Sequence, residues 1–101
     1  MRNERKTYLD QMKLKIKKFL TESLSPNYIN IQDVSHAHAG HIEASPNGET
    51  HFNITISSHH FIDKTKIERH KIVNNILKPC FNSGLHAASI KTLTPEEYEK
   101  S

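Results

Sequence analysis

The sequence predicts a mixed α/β domain in which helix, strand, strand, helix, strand and helix follow one another. With 101 residues, the chain fits a single domain, 1–101, with a core over about 8–98. Segments with apolar residues at three- and four-residue spacing alternate with segments in which every second residue is apolar. Prolines, glycines and capping residues separate these segments. We therefore expect a three-stranded mixed sheet with helices on one face.

The first helix is predicted over residues 7–22. Its apolar face comprises residues at helical spacing: Leu9, Met12, Ile16, Phe19 and Leu20. Pro26 cannot continue a helix and restricts the residue before it, so we expect the helix to stop there with Ser25 extended.

Two strands are predicted over residues 28–34 and 50–57. Ile29 and Ile31 alternate with polar residues in the first strand, and Phe52, Ile54 and Ile56 do so in the second. Such alternation is typical of a sheet with one buried and one polar face. The intervening segment is rich in turn residues, so we expect a loop there and antiparallel pairing of the two strands.

A second helix is predicted over residues 65–78, because Thr65 and Glu68 have the spacing of a capping box. Its buried face is expected to comprise Ile67, Val73, Ile76 and Leu77, with Ile72 at the margin. Pro79 is expected to end this helix.

The last strand is predicted over residues 85–93, with Ala88 and Ile90 as core contacts. A short C-terminal helix should follow, with Thr94 as its N-cap, Pro95 in its first turn and Glu97 at the third position.

Composition narrows the class of protein. The single cysteine, Cys80, cannot form an internal disulfide and fits a reducing compartment, so we expect a cytoplasmic protein. No apolar run approaches the roughly 18 residues of a membrane span. The sequence lacks a nucleophile elbow, a phosphate-binding glycine loop and a Cys-x-x-Cys pair, so we do not expect an enzyme.

Histidines mark the candidate site. The run from 33 to 52 carries His36, His38, His41 and His51, and His86 follows just before the last strand. Imidazole suits several transition metals, so a self-contained histidine-rich metal site in the loop is one interpretation. Side chains expected to be structural or at the surface are His51, His59, His60, His70 and Cys80.

Several motifs in order resemble the BolA family over residues 8–98. They are Ser35-x-x-His38, Glu49-Thr50-His51-Phe52, Ser57-Ser58 with Phe61, Arg69-His70 with Val73, His86-Ala87, and Thr94-Pro95-Glu96-Glu97-Tyr98. The resemblance implies a fold similar to class II KH domains, in agreement with the predicted order of elements.

The resemblance also implies a monothiol glutaredoxin as partner. In such complexes a [2Fe-2S] cluster is held by a glutaredoxin cysteine, glutathione and two ligands from the BolA-like protein, so no cofactor is expected in the isolated chain. His86 corresponds to one ligand. Counting from the Asp-x-Ser motif gives His38 as the second, and counting back from Glu-Thr-His-Phe gives His41. His38 ranks first.

A DNA-binding transcriptional regulator is the alternative. The chain has no Gly-x-x-Gly clamp, which leaves the helix-turn-helix-like segment 61–77. Its candidate phosphate contacts are Lys64, Lys66, Arg69 and Lys71. A weak homodimer is compatible with the sequence, and membrane association is not expected.

Overall fold

The fold joins one three-stranded sheet to four α-helices, two of which begin at capping boxes. The computed structural model describes residues 11–34 and 51–101. The first half contains α1 (Gln11–Leu24), β1 (Tyr28–Asp33) and β2 (His51–Ser57), followed by a turn of 3-10 helix (His59–Phe61). The second half contains α2 (Lys66–Ile76), α3 (Lys78–Asn82), β3 (Ala87–Leu93) and α4 (Pro95–Lys100). Across these ranges the predicted order is confirmed, with the short helix α3 added.

The sheet is mixed, as predicted, and β2 is its central strand. β1 pairs with β2 in the antiparallel sense, with Tyr28 opposite Ser57. β3 pairs with β2 in the parallel sense, with Ile54 opposite Ile90. The connection between the parallel strands runs through α2 and α3, as a parallel pairing requires.

One face of the sheet carries the core. Phe52, Ile54 and Ile56 of β2 are at most 1% exposed, and α1 and α2 pack over them. The helical residues buried in this cluster are Met12, Ile16, Leu20, Leu24, Val73 and Cys80, and Leu77 joins them from the turn between α2 and α3. On the other face, Asn30, Asn53 and Lys91 are exposed, so α1 and α2 lie on one side of the sheet. Tyr98 of α4 instead stacks on Tyr28 of β1, which lies on the same face as Asn30 (ring centroids 4.6 Å apart).

The end of α1 differs from the prediction. The helix continues to Leu24, which is buried, and Ser25 takes a left-handed conformation with φ 43° instead of an extended one. The Ser25 N–H donates to the carbonyl oxygen of Thr21 (3.0 Å), the bond of a left-handed C-cap. This cap satisfies a terminal carbonyl before Pro26 and extends the buried stripe by one turn.

The buried face of α2 was predicted wrongly at its first turn, where Ile67 is 70% exposed and Arg69 is buried. Val73 and Leu77 define the inward face. Arg69 lies four residues before Val73, about 40° away around the helix, whereas Ile67 lies about 120° away. Helical spacing therefore places Ile67 on the outside.

Pro79 does not end α2, because that helix already stops at Ile76. Pro79 instead lies in the first turn of α3, where a missing N–H leaves no hydrogen bond unmade. The two capping boxes predicted at Thr65 and Thr94 are both present.

Within ranges 11–34 and 51–101, no helix combines the length and the apolar character that crossing a membrane requires.

The core assignment predicts a contrast between two isoleucines. Ile56 is fully buried and Ile67 is 70% exposed. Ile56→Ala should lower the free energy of unfolding by about 2–5 kcal/mol, because it removes buried methyl groups and leaves a cavity. Ile67→Ala should change it by less than about 0.5 kcal/mol. Urea unfolding followed by circular dichroism measures both, and equal losses would contradict the assignment.

Candidate metal-ligand edge and basic segment

His86 lies at the turn that leads from α3 into β3. Gly84 has φ 127°, a conformation that side-chain-bearing residues rarely adopt. The next residue, Leu85, is buried, and its N–H donates to the carbonyl oxygen of Cys80 (3.0 Å). With Leu85 anchored in the core, His86 is exposed at the start of the strand.

His51 begins β2 beside His86. The parallel register places His51 opposite Ala87, the residue after His86. The two imidazole rings are in edge contact, with centroids 5.8 Å apart and planes at 78°. Because parallel strands begin at the same edge of a sheet, both rings lie at one edge, here called the histidine edge (His51 and His86).

The segment with the other candidate ligands, residues 35–50, joins the sheet at the histidine edge. Val34 and His51 flank this segment, and the Val34 N–H donates to the His51 carbonyl oxygen (2.8 Å). His38 and His41 lie outside the described residues, so their approach to His86 remains a prediction. Among residues 11–34 and 51–101, no three metal-binding side chains form a cluster.

The histidine edge supplies part of a ligand set. Neutral imidazole nitrogens bind iron, zinc, copper and nickel. Two exposed or half-buried rings leave the remaining positions of an ion to other donors. Sequence reasoning took His51 for a structural or surface residue, because its proximity to His86 depends on the parallel register of β2 and β3.

The basic segment divides into exposed lysines and one buried arginine. Lys64, Lys66 and Lys71 are exposed. The Arg69 side chain is 8% exposed, and its two terminal nitrogens donate to the Glu97 carboxylate at 2.8 and 3.3 Å. Its Nε donates to the carbonyl oxygen of Lys64 (3.0 Å). The donors of Arg69 are therefore used inside the fold, and its contact with phosphate stays a prediction.

Glu97 joins α2 to α4. Its carboxylate accepts from Arg69 and also from the N–H of Thr94, in the capping box of α4. The Arg69 hydrogen bond and then the Thr94 N–H lower the pKa of Glu97 to about 2, from an ordinary 4.5.

Cys80 is buried, as predicted for a packing residue. Burial raises the pKa of its thiol, and Lys15 opposes that shift in part. The thiolate, which is the reactive form, is thus disfavoured.

The fold and the histidine edge define a small α+β domain with a mixed three-stranded sheet and an exposed histidine before its last strand. The family model described as "BolA-like protein" matches residues 20–97. The chain belongs to the BolA family.

Two plant proteins from Arabidopsis thaliana show the extent of the similarity. "SufE-like protein 1, chloroplastic/mitochondrial" is 40% identical over 88 residues, covering 83% of this chain and 24% of that protein. "Protein BOLA1, chloroplastic" is 40% identical over 80 residues, covering 77% of this chain and 50% of that protein. The chain thus spans a quarter and a half of the lengths of these relatives.

A solved structure has the same fold. The "BolA domain of SufE1 from Arabidopsis thaliana" superposes with a TM-score of 0.74 at 40% identity, covering 83% of this chain and 92% of that one.

A more distant relative by sequence is a Haemophilus influenzae protein named "DNA-binding transcriptional regulator BolA". It is 27% identical over 84 residues, covering 83% of this chain and 78% of that protein.

The Arg69–Glu97 pair predicts a specific acid sensitivity. Because the folded pKa of Glu97 is depressed to about 2, its contribution to stability is complete above its ordinary value of 4.5 and is lost as pH falls toward 2. Glu97→Gln should lower stability near neutral pH and remove this part of the acid dependence. Urea midpoints measured between about pH 6 and about pH 2 test both effects.

Glu99→Gln is the matched control, since Glu99 is an exposed residue of the same helix. It should retain the acid dependence of the unmodified chain. An identical pH profile for Glu97→Gln and the unmodified protein would contradict the role assigned to the pair.

Proposed function

We propose that this protein is a non-enzymatic adaptor in iron–sulfur cluster assembly and trafficking. In this proposal it forms a heterodimer with a monothiol glutaredoxin, bridged by a [2Fe-2S] cluster that is cargo for the pair. The observation that supports it is the exposed His86 in contact with His51, at the edge where the histidine-rich loop is attached, in a chain of the BolA family.

The donor set fits a cluster shared with a partner. Histidine replaces cysteine on one iron in some [2Fe-2S] proteins and raises the reduction potential. A shared cluster also requires ligands at the surface, so that a second protein can supply the others. His86 is exposed and meets that requirement. Glutaredoxin cysteine and glutathione would complete the coordination.

Each residue near the edge has a distinct part in the proposal. His86 is the first ligand, and His38, ranked ahead of His41, is the second. The Gly84 turn and the buried Leu85 hold the backbone of His86 in place. His51 contacts the His86 ring and limits the orientations it can take, so it acts as a positioning residue.

The proposed compartment is the cytoplasm. The one cysteine, Cys80, fits reducing conditions and is buried away from a partner. With its thiol inside the core, the chain would contribute nitrogen ligands and leave the sulfur ligands to glutaredoxin and glutathione.

Titration of a [2Fe-2S]-loaded monothiol glutaredoxin tests the adaptor function. Visible absorption and circular dichroism should change in a saturable manner with a one-to-one endpoint. His86→Ala should lower the apparent affinity by at least about tenfold or abolish the spectral change, since the variant removes a metal ligand. The same titration with His38→Ala and with His41→Ala identifies the second ligand, because only the variant that lacks this ligand should lose affinity.

His70→Ala is the control, because His70 is exposed on α2 and lies outside the histidine edge. It should titrate like the unmodified protein. No spectral change with the unmodified protein, or an equal response from His86→Ala, would refute shared ligation. His51→Ala should shift the dichroism of the complex while the one-to-one endpoint is retained.

DNA binding is the second candidate function. Lys64 and Lys66 lie in the turn before and at the start of α2, and Lys71 lies further along this helix, all exposed to solvent. The Haemophilus influenzae relative bears a name that includes DNA binding. Contacts of lysines with phosphate would be largely independent of DNA sequence.

The salt dependence of DNA affinity tests this candidate. Removing one lysine that binds a phosphate should reduce the slope of log affinity against log salt by about 0.9. Lys64→Ala with Lys71→Ala should therefore flatten the slope, and Lys91→Ala, on the open sheet face, should leave it unchanged. Fluorescence anisotropy with a labelled duplex measures the slopes. An unchanged slope in the double variant would exclude this surface.

A further inference from the structure

Among residues 11–34 and 51–101, no further strand pairs with the outer edge of β1. In an antiparallel ladder, consecutive residues direct their N–H and C=O groups alternately toward the partner strand and away from it. The Val34 N–H donates to the carbonyl oxygen of His51, so the even-numbered residues of β1 face β2. Ile29 and Ile31 therefore direct their backbone groups outward. Those groups have no hydrogen-bond partner within ranges 11–34 and 51–101.

The two outer edges of the sheet differ in the side chains that bond to their backbone groups. At the edge of β3, the carbonyl oxygen of Thr92 accepts from the Lys66 ammonium (3.1 Å) and from Arg69 (3.5 Å). Side chains thus cover the edge of β3 at Thr92. Among the described residues, no side chain makes such a bond to Ile29 or Ile31, so the edge of β1 is open at these two residues.

A basic groove runs beside the β1 edge. It has a volume of about 240 Å³ and lies between α1 and β1. Its lining comprises Lys13, Lys17, Ile29, Asn30 and Ile31. Both lysines are exposed, and no acidic side chain belongs to the lining. We call this feature the β1 groove.

We infer that the β1 groove binds an extended peptide segment with acidic side chains at alternate positions. The peptide would add a strand to the sheet, with its backbone paired to Ile29 and Ile31. Alternate side chains of a strand point to the same face. One set would therefore lie on the helix side of the sheet, where the ammonium groups of Lys13 and Lys17 favour carboxylates.

Charge argues against a second copy of the chain as the occupant. Symmetric pairing of two β1 edges would bring Lys13 and Lys17 of one copy close to the same residues of the other. Like charges at a strand edge oppose such pairing, and lysine is a common guard against it. The same lysines attract an acidic partner strand, so the edge would bind acidic strands in preference to a second copy of this chain.

The experiment uses the full chain labelled with ¹⁵N and an alternating glutamate–valine peptide long enough to span Tyr28–Asp33. The peptide should shift the amide signals of β1 in a saturable manner and slow hydrogen exchange at Ile29 and Ile31. Lys17→Glu should weaken binding about fivefold, because an attraction becomes a repulsion. The Lys13→Glu/Lys17→Glu double variant should prefer a lysine–valine peptide instead.

Lys18→Glu is the matched control, with the same charge change at the next residue. Lys18 is exposed but lies in a different groove, beside Met12 and Ser83. Its effect on affinity should be less than about twofold. The proposal is overturned if Lys18→Glu and Lys17→Glu weaken binding equally, or if the shifts fall outside β1.

Two further results would overturn it by showing another occupant. Slow exchange of Ile29 and Ile31 in the free monomer would mean that the chain itself covers the edge. The same protection with a concentration-dependent dimer in sedimentation would mean that a second copy does. Because the β1 groove does not include His86, failure of cluster binding in the glutaredoxin titration would leave this result unaffected.

Discussion

The position of β2 between an antiparallel and a parallel neighbour is the constraint on which the rest of the structure depends. Its inward residues, Phe52, Ile54 and Ile56, form the centre of the core and fix the register of both pairings. A slip by one residue would turn all three outward. The same register makes β2 and β3 begin at one edge, which is why His51 and His86 come into contact.

The crossover between these parallel strands is held by a charged pair. Arg69 is a buried residue of α2, within the crossover. Its bonds to Glu97 and to the Lys64 carbonyl oxygen connect α2 to α4 and to the turn before α2. A buried guanidinium without a partner would be costly, so the burial of Arg69 depends on Glu97. The segment 61–77 therefore combines an arginine whose donors are used inside the fold with lysines that are exposed at the surface.

Much of the fold could be predicted because local chemistry and tertiary packing agree. Alternation in β2 and the capping boxes at Thr65 and Thr94 are local signals, and both are present. The errors arose where packing between elements distant in the chain determines which side chains are buried or in contact. Ile67 is apolar but lies off the face defined by Val73 and Leu77. The contact of His51 with His86 depends on the pairing of two strands that are far apart in the chain, which no local pattern reveals.

The β1–β2 ladder connects the β1 groove to the histidine edge. Val34, which follows β1, donates to the carbonyl oxygen of His51, the first residue of β2 and half of the histidine edge. A peptide strand on β1 would stiffen the end of β1 nearest this contact, because each added ladder bond restricts the strand. The segment with His38 and His41 begins directly after Val34. Binding at the groove would thus restrict one end of the segment whose histidines are proposed as ligands, and the β1–β2 ladder, which ends at Val34 and His51, would carry the coupling between the two sites.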